Sequence, residues 1–187
     1  MNRTLALILS FCVLLPLNLS ARSKEGVSFP DSITVDGKTL VLNGLGTREA
    51  TVFNVNVYVA GLYLEQKSSD AAAILSSTGT KRLVLKFVRD VERDDIVDAW
   101  SDGFEKNAKG QLGALKSKIS KLNGWMADMA EGENLSFTYI PQKGTTVEIN
   151  GKSKGTIDGD DFARALFSIW LGSSPPNSGL KSGLLGK

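Results

Sequence analysis

The stretch Leu42–Glu65, LNGLGTREATVFNVNVYVAGLYLE, decides how the rest of the chain is read. Its second half alternates: Phe53, Val55, Val57 and Val59 fall on one face, Asn54, Asn56 and Tyr58 on the other. That period of two marks a strand with one buried face. The phase changes at Ala60-Gly61, because Leu62 and Leu64 carry the apolar side onward. A bulge or bend at Gly61 would account for the change. Arg48 stands apart, since it follows Gly44 and Gly46 and opens the strand. A guanidinium is a planar fork of donors that suits a carboxylate or another delocalised oxyanion. Burying it alone costs several kcal/mol, so Arg48 is either an exposed strand-edge residue or a cation in an apolar cleft awaiting a partner.

Working outward, ITVDGKTLVL predicts a hairpin turning at Asp36-Gly37. KRLVLKFV is a further strand, apolar enough on both faces for a central position. From Asp94 the period becomes helical through Ile96, Trp100, Phe104 and Ala108, then Leu112, Leu115, Ile119 and Leu122, with a break near Gly110–Gly113. Strands return in NLSFTYI, TTVEI and KSKGTI, the last two joined at Asn150-Gly151. DGDDFARALFSIWLG is a closing helix, opened by Asp158 or Asp160 and ended at Gly172, and Ser178–Leu185 adds a short helical turn. This order predicts one α+β domain: a large antiparallel sheet with helices on one face.

At the N-terminus, Arg3 precedes the apolar run Leu5–Leu17, and small Ser20 and Ala21 close it. The layout is that of a secretory signal peptide over residues 1–21, with the domain at 22–187 and an exported, periplasmic destination; an uncleaved N-terminal membrane anchor is the weaker alternative. The run is too short for a membrane span of roughly 20 residues. Arg3 and Cys12 leave with that peptide, so the remainder has no cysteine and is close to neutral, starting from a net +2 for the whole chain. Such a balance offers nothing to nucleic acid or anionic membranes. The chain has no histidine, which excludes His-based triads, His-ligated zinc and Cys–His nucleophiles.

The remaining candidates are weaker. The run Asp158–Asp161 sits at a helix start without the spacing of a calcium loop, so capping is the better reading and no metal is expected. GKSKG flanks a hairpin and opens no helix as a phosphate loop must. Trp100 shares a stripe with Ile96 and Phe104 that must face the sheet, and it lines a pocket wherever packing there is incomplete. No cofactor follows from any motif, and no protein partner is identified.

The segments NGLGTREATVFNVNVYVAGLYLE (43–65), YIPQKGTTVEINGKSKGTIDGDDFARAL (139–166) and FSIWLGSSPPNSGLKSGLLG (167–186) together resemble the chalcone isomerase-like proteins of bacterial envelopes. The resemblance implies an open-faced β-sandwich, with a large antiparallel sheet packed on a helical layer and a ligand cleft between them. In the enzymes of this fold a chalcone closes into a flavanone. An arginine steers the phenolate, a tyrosine polarises the ketone through water, and a lysine, an asparagine and a threonine or serine assist. Non-catalytic members bind fatty acids, whose carboxylate is held by the arginine and a tyrosine.

Arg48 matches the arginine. The tyrosine position falls on Ile96, the asparagine on Gly103, the lysine on Phe87 and the threonine or serine on Ile169. A shift of one residue would offer Lys86 and Ser168 instead, although such a slip reverses the face of a strand. Isoleucine, glycine and phenylalanine side chains cannot donate to charge developing on a ketone oxygen. The expected site is therefore Arg48, Phe87, Ile96, Trp100, Gly103 and Ile169, a ligand-binding rather than catalytic set. It suits a fatty acid or similar lipophilic anion. The alternatives are an intramolecular lyase, and a structural partner whose cleft is filled by its own side chains.

Overall fold

The computed structural model describes residues 20–50 and 55–187, so Arg3, Leu5–Leu17, Phe53 and Asn54 lie outside the described residues. Among the described residues, nine strands and five α-helices follow one another. They are β1 (Ala21–Lys24), β2 (Val27–Pro30), β3 (Ser32–Val35), β4 (Lys38–Ala50), β5 (Val55–Leu64), α1 (Ala71–Ser76), β6 (Lys81–Phe87), α2 (Arg93–Ala108), α3 (Leu112–Gly124), β7 (Asn134–Ile140), β8 (Gly144–Ile149), β9 (Lys152–Ile157), α4 (Asp160–Leu171) and α5 (Ser178–Leu184). Strands β3 to β9 form a seven-stranded antiparallel sheet in sequence order, with β6 in the middle. The turns are where Asp-Gly and Asn-Gly stand: Asp36, Gly37, Asn150 and Gly151 all take positive φ.

The helices cover one face. Helix α4 is buried along most of its length, from Phe162 to Leu171, and packs against α2 on one side and α1 on the other. The core between sheet and helices joins Leu62, Leu83, Leu85, Leu135 and Phe137 of the strands to Phe104, Leu115, Leu166 and Trp170 of the helices. The opposite face is partly covered as well. Strands β1 and β2, which the sequence reading did not anticipate, form a hairpin whose Phe29 packs with Leu40, Leu42, Val59 and Tyr63. Over β4 and β5 the sheet is thus buried on both sides, which is why apolar residues occupy both parities of β5.

That second layer explains the phase change in the opening stretch. Strand β5 continues through Gly61 without a break against β6. The irregularity lies on the neighbouring strand, where Leu42 pairs with Tyr63 and Gly44 with Leu62, so Asn43 is the extra residue. Asn43 is buried, and its amide takes the Ser68 N–H at 2.8 Å while donating to Leu184 O at 2.7 Å and Ser68 O at 3.0 Å. The consequence is directional. Before the bulge Leu40 and Leu42 face the hairpin layer; after it Leu45 does so, and Gly44, Gly46 and Arg48 face the helices. Without Asn43 as an inserted residue, Arg48 would point to the wrong layer.

The glycines have their own reason. Helix α5 lies against β4 so closely that a Cβ at Gly44 would collide with the carbonyls of Gly183 and Leu184, and one at Gly46 with that of Leu180. The two glycine-rich segments therefore pack backbone on backbone. At the start of α4 the residue in the cap position is Gly159 at φ 97, in place of the expected Asp158 or Asp160, and Asp160 and Asp161 fill the first turn. The six-residue helix α1, capped by Asp70, was also not foreseen.

Candidate functional site

A cleft of about 520 Å³ opens between the ends of β4 and β5, one face of α2 from Asp95 to Lys106, the end of α4 and the loop at Ser174–Pro176. The Trp100 indole closes its floor. Trp100 packs on Trp170 at 5.2 Å between rings and on Phe137 at 6.1 Å, both edge-to-face. Ile96 and Ile169 supply further apolar wall. Gly103 brings α2 against α4, since a Cβ there would lie 2.7 Å from Ile169 Cγ2. Glycine and isoleucine at these two places are thus one packing solution: the bulk of Ile169 requires the missing side chain of Gly103.

Arg48, Ile96, Trp100, Gly103 and Ile169 all line this one space. Phe87 does not. It stands behind the wall, with its ring 5.7 Å from that of Tyr58 in an edge contact. The one-residue alternatives also resolve. Lys86 points to the far face of the sheet, donating to Ser28 O at 2.7 Å and lying over the Phe29 ring. Ser168 turns its hydroxyl back to Ala165 O at 2.6 Å, inside its own helix.

The residue that the sequence reading missed is Tyr58. It pairs directly with Arg48 across β4 and β5, and both line the cleft. A second irregularity puts it there: Arg48 opposes Tyr58 and Glu49 opposes Asn56, leaving Val57 as the inserted residue on the cleft wall. The phenol is buried, and its oxygen accepts from Trp170 Nε1 at 2.9 Å. Burial pushes its pKa up to about 12; the Trp170 hydrogen bond and the nearby Arg48 charge pull it down without offsetting burial. Tyr58 is therefore neutral at physiological pH and retains a proton that it can donate. With its lone pair engaged by Trp170, its proton has no acceptor among the described residues.

Arg48 is half-buried, and its guanidinium bonds the adjacent Glu49 carbonyl. Arg89 and Lys106 share the exposed rim with Asp90, Asp95 and Asp102. The rim charges are partly spent, because Lys106 pairs with Asp102 at 2.6 Å and Asp90 accepts from Glu131 N at 2.8 Å. Trp100 Nε1 is a further buried donor without an acceptor among the described residues. The cleft thus offers one inner cation and one neutral hydroxyl donor at an apolar floor. This can hold a small oxyanion attached to a hydrophobic body. Among the described residues, no cluster of carboxylates is arranged to hold a metal ion.

A comparison with curated proteins found no match. Among solved structures the chain is similar to a fatty-acid binding protein of Arabidopsis thaliana, with a TM-score of 0.69 and 16% identity over 89% of this chain and 96% of that one. At that identity the likeness concerns the fold: a mixed α+β domain with a long antiparallel sheet. The family model for chalcone isomerase-like proteins matches residues 21–186, that is, everything from the first strand to the end of α5. With sheet, helical layer and cleft in place, the chain belongs to the chalcone isomerase-like family.

Proposed function

We propose that this protein is an exported, non-catalytic binding domain that takes a fatty acid or similar lipophilic anion in the cleft between sheet and helices. The carboxylate sits against the Arg48 guanidinium and the Tyr58 hydroxyl, and the hydrocarbon lies along Ile96, Trp100 and Ile169. One observation carries the reading: Arg48 and Tyr58 are cross-strand partners facing the same cleft, where every other inner wall group is apolar or an N–H donor. A carboxylate has acceptor sites for both groups and would occupy the donor that Tyr58 leaves unused. Similarity to a fatty-acid binding protein supports the choice of ligand. The apolar run after Arg3 supports export, with residues 22–187 as the mature domain.

The test is native mass spectrometry of protein purified from its own host's envelope fraction, followed by solvent extraction. The expected result is a chain starting close to Arg22 and carrying an alkyl carboxylate. An empty cleft, together with no heat on titrating dodecanoate, would end the carrier reading.

An intramolecular lyase is the second reading, favoured by the free Tyr58 proton beside Arg48, which could polarise a ketone. Ile96, Gly103 and Ile169 supply no further donor, and a phenol with a pKa of about 12 is no general base near neutrality. Turnover of a chalcone, lost in Arg48→Ala, would establish the lyase; a flat absorbance trace at high protein concentration is expected.

A further inference from the structure

We infer that Asn177 is a positioning residue for Arg48, an inference that rests on the carboxylate-binding reading of the cleft. Among the described residues, no strand pairs with β4 on its β3 side beyond Val41, because β3 pairs only with Lys38–Val41. Two backbone groups flanking Arg48 on that free edge are taken by one side chain. Asn177 Nδ2 donates to Thr47 O at 3.1 Å, and Asn177 Oδ1 accepts from Glu49 N at 3.4 Å. The primary amide thus substitutes for a neighbouring strand at this point. Glu49, whose N–H is held in this way, is also the residue whose carbonyl, in the next peptide group, receives the Arg48 guanidinium. The chain of contact runs from Asn177 to Glu49 to Arg48.

What Asn177 gives up points the same way. It occupies the N-cap position of α5, where asparagine is favoured because its side chain can bond the first free N–H groups. Here it makes no capping bond and reaches across to β4 instead. The loop before it is clamped too. Asn107 of α2 donates to Ser174 O at 3.0 Å and accepts from Ser174 N at 2.9 Å, and Pro175 and Pro176 stiffen the remainder. Lys181 Nζ closes the loop by donating to Gly172 O at 2.7 Å. The wall Ser174–Asn177 is therefore tied to α2 at one end and to the peptides around Arg48 at the other. A guanidinium pre-set in this way has less rotamer freedom to lose when it meets an anion.

Asn177→Ser separates positioning from folding, because serine can cap α5 but cannot span Thr47 and Glu49. Asn177→Ala provides a second variant without the new cap. Two measurements decide. In ligand-free protein, the Arg48 Nε–H resonance should be ordered in wild type and mobile in Asn177→Ser, at an unchanged melting temperature. In titrations, Asn177→Ser should weaken dodecanoate by about threefold to tenfold. Dodecanol, of equal chain length but without the charge, should be unaffected. A purely structural role would shift both ligands alike. Equal Arg48 order in wild type and variant, or equal loss for acid and alcohol, overturns the inference. If wild type itself ignores dodecanoate, the carboxylate reading fails, and the resonance order still decides whether Asn177 positions Arg48.

Discussion

Of the cross-strand cation–tyrosine pairs in the sheet, two face the helices at opposite ends of α4, while Arg82–Tyr63 holds a tyrosine of the hairpin side, and the fates of the two differ. At one end Arg48 opposes Tyr58 on β4 and β5; at the other Lys81 opposes Tyr139 on β6 and β7. Both tyrosines are buried, and both have pKa values raised to about 12, chiefly by burial. At the Lys81 end the protein supplies the partners itself. Lys81 Nζ donates to Ile74 O and Ser77 O, each at 2.8 Å, closing the last turn of α1, and Tyr139 donates to Asp160 at 2.7 Å. The space that Lys81 and Tyr139 line together is about 10 Å³, while Lys81 alone also borders a surface hollow of about 430 Å³ that Tyr139 does not reach. At the Arg48 end the cation holds a backbone carbonyl of its own strand, Tyr58 accepts rather than donates, and about 520 Å³ stays open. A cation opposite a buried tyrosine makes a structural cap in one place and a receptive site in the other. The difference lies in whether the donors have already been used.

The largest way to break this comparison is Gly44→Ala. A methyl group there meets backbone of α5 rather than a side chain that could move, so about 3 kcal/mol or more of stability should be lost, measured by denaturant melting. The Arg48 end should suffer while the Lys81 end keeps its hydrogen-exchange protection. Loss spread evenly over both ends would show that α5 does not serve the cleft.

Replacing each tyrosine by phenylalanine sharpens the contrast. Tyr58→Phe leaves the buried Trp170 N–H without an acceptor and should cost about 1–3 kcal/mol. Tyr139→Phe removes a bond to Asp160, which is exposed and can turn to water, and should cost about 0.5–1.5 kcal/mol. The reverse order would contradict the assignment of bond directions.

The smallest stability effect is a pH dependence. Burial lowers the Lys81 pKa to about 8, from 10.5. Between those values the unfolded chain binds more protons than the folded one, so stability contributed by this group rises with pH. Below about 8 the penalty of a buried charge is fully present. Above about 10 the buried tyrosines act in the opposite direction, since Tyr58, Tyr63 and Tyr139 hold their protons to about 12 when folded. Discounted for partial solvation, wild type should gain roughly 2–4 °C in melting temperature from pH 8 to 10 relative to Lys81→Met. Parallel profiles for the two proteins would remove Lys81 as the cause.

Much of the fold was legible because local chemistry repeats it. Asp36-Gly37 and Asn150-Gly151 adopt the positive φ that their hairpins require, and the helical period from Ile96 to Leu122 breaks at Lys109–Gln111 as the glycines suggested. The bulge was sensed but assigned to the wrong strand. The phase change visible in β5 comes from its two-sided burial, whereas the inserted residue is Asn43, followed by Gly44 and Gly46, whose lack of side chains hides the parity of β4. Tyr58 was missed for the same reason. Read along one strand it belongs with Asn54 and Asn56, and only the register across two bulges places it opposite Arg48. Phe87 was misplaced by one layer of packing, as support for Tyr58 instead of wall. Gly103 and Ile169 were recognised singly, but their mutual dependence is a helix-to-helix contact that spacing does not reveal.

The central claim is that the cation lining the open cleft, and not the one enclosed by carbonyls of α1, makes the site. Calorimetric titration of dodecanoate into wild type, Arg48→Ala and Lys81→Met tests it directly. Removing a charge-assisted pair should weaken binding about tenfold or more in Arg48→Ala and leave Lys81→Met at wild-type affinity. Equal affinity in Arg48→Ala and wild type, or a matching loss in Lys81→Met, would contradict the account.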